Sequence, residues 1–214
     1  MKHRTVTAWM RGSITLGCVI VGAAGAPAAP LISEVFYDAS GSDNGKSFVE
    51  LYAPAGFVLD GLVVEGINGA NGQVAGSVTL SGTVGASGLF VLADDQGDGS
   101  SLVLGADQIA NFDFQNGPDS IVLRDDMGVL DALGYGDFAG GAVFAGEGTP
   151  ALDAPADSAL ARVFADLDTD DNATDFEVAM PTPGAAAFAV PEPGSGWLLG
   201  LGLAALAFPR RRNR

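Results

Sequence analysis

The chain has 214 residues and a formal net charge of −16, from 10 basic and 26 acidic side chains. Its length suits one domain of ordinary size with targeting segments, and its acidity excludes nucleic-acid binding because phosphate backbones would be repelled. The only cysteine and the only histidine, Cys18 and His3, lie in an N-terminal segment that we expect to be removed. Without them the domain lacks disulfides, thiolate and histidine catalysts and nearly all zinc chemistry, which predicts a protein that is not an enzyme.

The N-terminus has the composition of a secretory signal peptide. Basic residues precede an uncharged stretch over residues 12–26, which is the order that such a signal requires. Ala26 and Ala28 fit the two small pockets of signal peptidase, so we predict a signal over residues 1–28 and a mature chain beginning at Ala29. The alternative is an uncleaved anchor, but the apolar run is shorter than the ~20 residues that span a bilayer.

Short apolar runs separated by Gly, Asn and Asp follow, and none keeps a helical periodicity over three turns. This pattern predicts an all-β domain built as a two-sheet sandwich. The same region, between positions 29 and 190, contains only three basic but 25 acidic residues and has a formal charge of −22. The predicted strands cover residues 31–37, 48–52, 58–65, 74–80, 88–93, 109–114, 120–124 and 129–135.

Two turns are clear in the second half of this region. Residues 125–128 connect two apolar strands into a hairpin, and Gly128 can take the positive φ that such a loop often needs. Residues 116–119, Asn-Gly-Pro-Asp, predict a second sharp turn.

The order of these segments resembles the lamin tail domain, an immunoglobulin-like sandwich. The resemblance covers about residues 31–138 and departs from the family at Leu62 and Val63, where a tryptophan commonly follows the glycine. It implies an immunoglobulin-like domain over residues 29–139 in an extracellular setting, but it implies no single activity. The composition predicts an acidic Gly/Ala/Pro-rich extension over residues 140–189 that completes or trails the sandwich. The matching segments are 31–35, 48–52, 59–62, 116–123 and 129–135.

An acidic segment near the end of the domain has the spacing of a calcium loop. Oxygen donors stand at positions 1, 3, 5, 7, 9 and 12, although position 6 is Asp171 where glycine is usual. Calcium is therefore a possible ligand, and the alternative is an acidic surface loop that leads into a last strand over residues 176–179. The six predicted ligands are Asp166, Asp168, Asp170, Asn172, Thr174 and Glu177.

Other acidic residues offer less. The cluster over residues 94–99 is rich in turn formers and is interpreted as a loop. Glu34 and Glu50 are the one plausible catalytic carboxylate pair, since a glycosidase places two carboxyl groups ~5 to 9 Å apart, but their positions inside apolar strands favour a structural role. The glycosylation sequon at 172–174 is interpreted as accidental.

The last residues repeat the targeting pattern in reverse. Pro191, Glu192 and Pro193 precede an uncharged stretch over residues 194–208, and a cluster of arginines ends the chain. Residues 190–214 resemble the Pro-Glu-Pro C-terminal (PEP-CTERM) sorting signal, a motif, hydrophobic helix and basic cluster that the membrane transpeptidase exosortase processes. The alternative is an ordinary single-span anchor, for which the stretch is short.

Together these features predict an exported, exosortase-processed surface or extracellular-matrix protein of a Gram-negative bacterium, with a non-catalytic binding or structural domain. Its expected partners are signal peptidase, exosortase and, at the surface, exopolysaccharide or another surface protein, with transient inner-membrane contact through the C-terminal helix. No cofactor is expected to be required. The alternatives are a secreted hydrolase that uses the carboxylate pair and a purely structural spacer.

Overall fold

The computed structural model describes residues 29–189. The predicted signal peptide, with Ala26 and Ala28, and the predicted sorting helix, with Pro191, Glu192 and Pro193, lie outside the described residues. In residues 29–189, no helix has the length and apolar character needed to cross a membrane.

The described residues contain ten strands and one single-turn helix, connected by turns and loops. The strands are β1 Leu31–Phe36, β2 Phe48–Tyr52, β3 Val63–Asn68, β4 Val74–Thr79, β5 Leu89–Asp94, β6 Gln108–Ala110, β7 Asp119–Arg124, β8 Val129–Tyr135, β9 Ala159–Arg162 and β10 Phe176–Ala179, and the helix is α1 Asn172–Asp175.

The strands form two sheets that pack face to face. One has six strands in the order β10-β9-β1-β2-β5-β6, and the other has four in the order β4-β3-β7-β8. All neighbours are antiparallel except β5 and β6. The prediction of an all-β fold with two sheets is confirmed, and the immunoglobulin-like identity stays a prediction.

Alternation along the strands builds the core between the sheets. Ile32 and Leu51 of the six-stranded sheet and Ile121, Leu123 and Leu133 of the four-stranded sheet are fully buried in one cluster. Successive side chains of a strand point to opposite faces, so a period of two places one apolar face of each sheet against the other. Neighbouring apolar side chains such as Phe36 and Phe48 are buried in a second cluster, so the choice of core face depends on how the two sheets pack and not on the sequence pattern alone.

A bulge in β1 gives the six-stranded sheet an unusual outer face, the face turned away from the core. The register between β1 and β2 shifts between Ile32 and Glu34, which leaves Ser33 as the extra residue. Ile32 and Val35 still point into the core. The bulge therefore lets two successive polar side chains, Ser33 and Glu34, point outward together.

Several predicted elements differ from the observed ones. The strand predicted over 58–65 begins only at Val63, because Val58 makes only an isolated bridge with Thr83 and a turn from Leu59 to Leu62 interrupts the chain. The strand predicted over 109–114 is the short β6, since the N–H of Phe112 donates to Asp94 Oδ1 instead of to a sheet neighbour. Strand β9 and helix α1 were not predicted, because four residues carry too little periodicity to be recognised.

The hairpin over residues 125–128 is present, but the expected role of Gly128 is wrong. Gly128 is not among the residues with positive φ. Asp125 shapes the turn instead, because its Oδ1 accepts hydrogen bonds from the N–H groups of Met127 and Gly128 at 2.8 and 2.9 Å. An aspartate side chain that binds the backbone two residues on is a common way to fix a turn.

We expect Leu123→Asp to lower the free energy of unfolding by more than about 3 kcal/mol, because it places an unpaired charge at a fully buried position. Val129→Asp is the matched control, since Val129 of the same hairpin is 61% exposed and should cost less than about 0.5 kcal/mol. Urea unfolding of both variants measures the difference. Equal costs would contradict the assignment of this face to the core.

Candidate functional site

Glu34 and Glu50 lie side by side on the outer face of the six-stranded sheet. They are direct cross-strand partners of β1 and β2, and they are 2% and 0% exposed. Side chains of directly opposite residues approach within about 5.5 Å at Cβ in an antiparallel pair. The two carboxylates that the sequence singled out are therefore neighbours, and both are buried.

Residues 180–189, which we call the C-terminal strap, cover these carboxylates. The N–H and hydroxyl of Thr182 donate to the two oxygens of Glu34 at 2.8 and 3.0 Å. The N–H of Gly184 donates to Glu50 Oε2 at 2.6 Å, and Ser33 Oγ donates to Glu50 Oε1 at 2.8 Å. All four carboxylate oxygens thus accept hydrogen bonds from the chain itself.

A cavity of about 430 Å³ lies beside the pair and is bordered by Arg162, Glu177 and Thr182. Burial raises the pKa of Glu34 to about 7, against the hydrogen bonds from Thr182, and the charge of Glu50 adds to the rise. Burial also raises the pKa of Glu50, with a further contribution from Asp107. A carboxyl group that titrates near neutrality is suited to proton transfer, but here the strap occupies the oxygens that a substrate would need.

A second buried charged cluster surrounds Arg162 of β9. Its Nη2 lies 3.0 Å from both carboxylate oxygens of Asp131, and its Nη1 lies 2.9 Å from Asp175 Oδ2 and 3.2 Å from Asp168 Oδ1. The guanidinium also stacks 4.5 Å from the centre of the Phe176 ring. Arg162 is 4% exposed, so this is a buried ion network of the kind that arginine suits best.

Glu147 lies next to this cluster and, with Asp131 and Asp168, forms a group of carboxylates with the spacing of metal ligands. Among residues 29–189, oxygens of Asp131, Glu147 and Asp168 form the one acidic group of three within 4.8 Å of one another. Burial raises the pKa of Glu147 to about 8, with help from the charges of Asp131 and Asp168, so its carboxyl is mainly neutral at pH 7. Asp131 already accepts from Arg162 and from backbone N–H groups, so the guanidinium is the cation that balances this cluster.

The predicted calcium ligands are placed differently from a calcium loop. Asn172 is fully buried, and its side chain bonds Ala132 O, the N–H of Gly134 and the N–H of Glu147. Asp168 contacts Arg162, and Asp166 accepts from the N–H of Ala189 at 2.6 Å. Asp170, Thr174 and Glu177 are exposed. Calcium binding by this segment stays a prediction, and the role of Asn172 in joining β8 to residues 146–147 was not foreseen.

The acidic cluster over residues 94–99 has a local structural role. Asp94 is 4% exposed and accepts from the N–H groups of Gly45 and Phe112, while Asp95 Oδ1 accepts from three successive N–H groups of its own loop. These bonds fix the loop beside β5. This agrees with its interpretation as a loop.

The described part of the chain is thus a two-sheet β domain whose last ten residues are bound across one sheet. Residues 189–212 match the PEP-CTERM protein-sorting motif, which confirms the sequence prediction for this tail. The chain therefore carries the motif of an exported protein that exosortase processes. No curated protein and no solved structure matches the chain.

Removal of Arg162 should destabilise the domain far more than removal of Arg124. Arg162→Ala leaves Asp131 buried without its cation, which costs about 3 to 5 kcal/mol. Arg124→Ala breaks only a 3.4 Å pair with Glu65 in which the arginine side chain is 44% exposed, so we expect about 0 to 1 kcal/mol. Chemical denaturation of the two variants measures the loss in the free energy of unfolding. Equal losses would show that the buried ion network stabilises the domain no more than the exposed pair does.

We expect the free energy of unfolding to fall as pH rises from about 4.5 to about 8. Glu34 and Glu147 bind protons more tightly in the folded than in the unfolded chain, since folding raises each pKa from 4.5 to about 7 and about 8. This stability is fully present below pH 4.5 and is lost as pH rises through these values. Urea unfolding at constant ionic strength measures the profile.

Glu34→Gln with Glu147→Gln should flatten that profile, and Glu65→Gln controls for the loss of a negative charge. Asp175 opposes the trend only at lower pH. Burial raises its pKa, but hydrogen bonds from Thr169 and the charge of Arg162 outweigh burial and hold it below 3.8. Its stabilising pairs are therefore lost only as pH falls below that value. A wild-type profile that rises between pH 5 and 8 would contradict the prediction.

Proposed function

We propose that this protein is an exported, exosortase-processed surface or extracellular-matrix protein whose acidic domain binds or supports a partner without catalysis. The sorting motif at residues 189–212 supports export and processing at the membrane. Signal peptidase and exosortase are the processing partners. In this proposal the host is a Gram-negative bacterium, the C-terminal helix anchors the chain transiently in the inner membrane, and no cofactor is required, with calcium as an optional ligand.

The covered carboxylate pair carries the non-catalytic part of the proposal. Glu34 and Glu50 accept four hydrogen bonds from the chain itself, three of them from the strap. A glycosidase needs one carboxyl group free to protonate the leaving group and the other free to meet the sugar or a water. Because the strap already occupies the oxygens of Glu34 and Glu50, this pair is better suited to binding the strap than to catalysis.

The fold in this proposal is a lamin-tail-like immunoglobulin sandwich. Its support is the order of the resembling segments, four of which fall on β1, β2, β7 and β8, while the fifth, over residues 59–62, lies in the turn before β3. At the point of departure from the family, Leu62 still packs against the core as a partly buried side chain. Leucine can therefore supply the apolar contact that the family's tryptophan makes.

Polysaccharide is the ligand class that we favour for the domain. An open cavity of about 510 Å³ is lined by Asn68, Gln115, Asn116 and Asp119. Asn68 and Gln115 bond each other and Asp119 Oδ1 accepts from the N–H of Gly69, so the exposed amide of Asn116 and the remaining amide donors are what this cavity offers to sugar hydroxyls. The formal charge of −22 between residues 29 and 190 disfavours nucleic acid and anionic lipid as alternatives.

In a host with the matching exosortase, the exported protein should begin at Ala29 and lack residues 197–214. A triple variant, Pro191→Ala, Glu192→Ala and Pro193→Ala, should remain in the inner membrane at higher mass because the transpeptidase no longer recognises it. Pro155→Ala, outside the motif, should be processed like the wild type. Intact-mass spectrometry of membrane and surface fractions distinguishes the forms.

Three outcomes would contradict the proposal. An exported protein that retains its arginine tail would show that the sorting motif is not processed. Glycan hydrolysis that is lost in Glu34→Gln and Glu50→Gln would favour the secreted hydrolase. Absence of saturable binding to glycans would leave the structural spacer.

A further inference from the structure

The C-terminal strap connects the domain directly to the sorting motif. Its last residue, Ala189, donates its N–H to Asp166 Oδ1 at 2.6 Å, and Pro191 follows two residues later in the sequence. Two residues of fully extended chain span no more than about 7 Å. While the strap is bound, the chain between its last domain contact and the first residue of the Pro-Glu-Pro motif is therefore no longer than about 7 Å.

Such a short connection conflicts with access by an enzyme embedded in a membrane. A folded domain of this length has a radius of gyration of about 15 Å, so its body would lie against the membrane or the enzyme when the motif reaches an active site. Release of the ten strap residues adds about 33 to 36 Å of reach. That gain is comparable to the diameter of the domain and is enough to separate the two bodies.

The strap is attached in a way that permits release. Hydrogen bonds hold it to the domain. Backbone N–H groups of the strap donate to three carboxylates of the domain, from Thr182 to Glu34, from Gly184 to Glu50 and from Ala189 to Asp166. In a fourth bond, the N–H of Ala165 donates to Ala187 O at 2.8 Å. Phe188 tilts against Tyr52 at 5.7 Å between ring centres and is 39% exposed. Segments with few buried apolar contacts open at low free-energy cost.

The groups under the strap include two carboxyl groups that repel each other when both are ionised. Glu34 and Glu50 face each other, Glu177 of β10 and Arg162 of β9 border the same cavity, and the charge of Asp107 acts on Glu50. Arg162 is committed to Asp131, Asp168 and Asp175. Opening hydrates both carboxylates but removes the N–H donors of Thr182 and Gly184, which favour the ionised form, so burial and hydrogen bonding act in opposite directions on release.

We propose that the C-terminal strap is a detachable tether, which must leave Glu34, Glu50 and Asp166 before exosortase can act on the Pro-Glu-Pro motif. The strap thus limits the rate of tail removal. This inference rests on the proposed processing by exosortase and adds a regulatory step to it.

Variants of the full-length chain in the exosortase host test the tether in both directions. Thr182→Pro with Gly184→Pro removes the two N–H donors to Glu34 and Glu50, and proline cannot take the φ of +83° at Gly184, so the strap should detach and tail removal should become several-fold faster. Met180→Pro is the matched control, because Met180 lies in the same segment and is 79% exposed. Pulse-chase labelling measures the rate of tail removal.

The opposite variant locks the strap. Ala165→Cys with Ala187→Cys places two cysteines at positions joined by a backbone hydrogen bond, in a chain whose one natural cysteine lies in the predicted signal peptide. A disulfide formed in the oxidising periplasm should slow tail removal at least tenfold, and a reductant should restore the rate. Non-reducing gels report how much of the chain is cross-linked.

A cross-linked chain that loses its tail at the wild-type rate would overturn the tether, as would equal rates for the double-proline variant and its Met180→Pro control. Both outcomes leave processing itself intact. If instead no variant, including the wild type, loses its tail, the proposed function fails rather than the tether. The two failures are therefore distinguishable.

Discussion

The domain is organised around the compensation of one buried cation. Arg162 extends from β9, donates through Nε to Ile32 O of β1 at 3.0 Å, and binds Asp131 of β8 through Nη2. Because β1 and β8 belong to different sheets, one guanidinium connects both layers of the sandwich. A buried guanidinium is tolerated only when its donors are satisfied, and this requirement fixes the positions of Asp131, Asp168 and Asp175 around it.

On the outer face of the six-stranded sheet, buried polar groups are also satisfied, but by hydrogen bonds instead of ion pairs. Glu34 and Glu50 are buried without an ion pair in the described part of the chain, and donors from Ser33 and the strap satisfy their oxygens. The cation of Arg162 lies in the buried part of the fold, whereas the strap is held by hydrogen bonds from ten mostly exposed residues. This contrast separates a stable core from a segment that can serve sorting.

Much of the sheet structure could be predicted, because short apolar runs bounded by turn residues are a local signal. Strands β1, β2, β4, β7 and β8 lie on such runs, and β10 lies at the residues expected for a last strand. Strand β9 has the sequence Ala-Leu-Ala-Arg, and its four residues with two small side chains give no recognisable strand pattern, although this strand carries Arg162. Asn172 was assigned to a loop ligand set because its spacing fitted, but burial against β8 gives it a structural role.

The sequence by itself determined the properties that are local or additive: the all-β class, the strong negative charge, the loss of cysteine and histidine with the N-terminal segment, and the sorting motif at residues 189–212. Only the tertiary structure decided which of the many carboxylates are buried and what each one binds. The bond from Arg162 to Ile32 O joins residues 130 positions apart, and that from Thr182 to Glu34 joins residues 148 apart. Such pairings depend on strand order and register, which are set by the packing of the whole chain rather than by any local pattern.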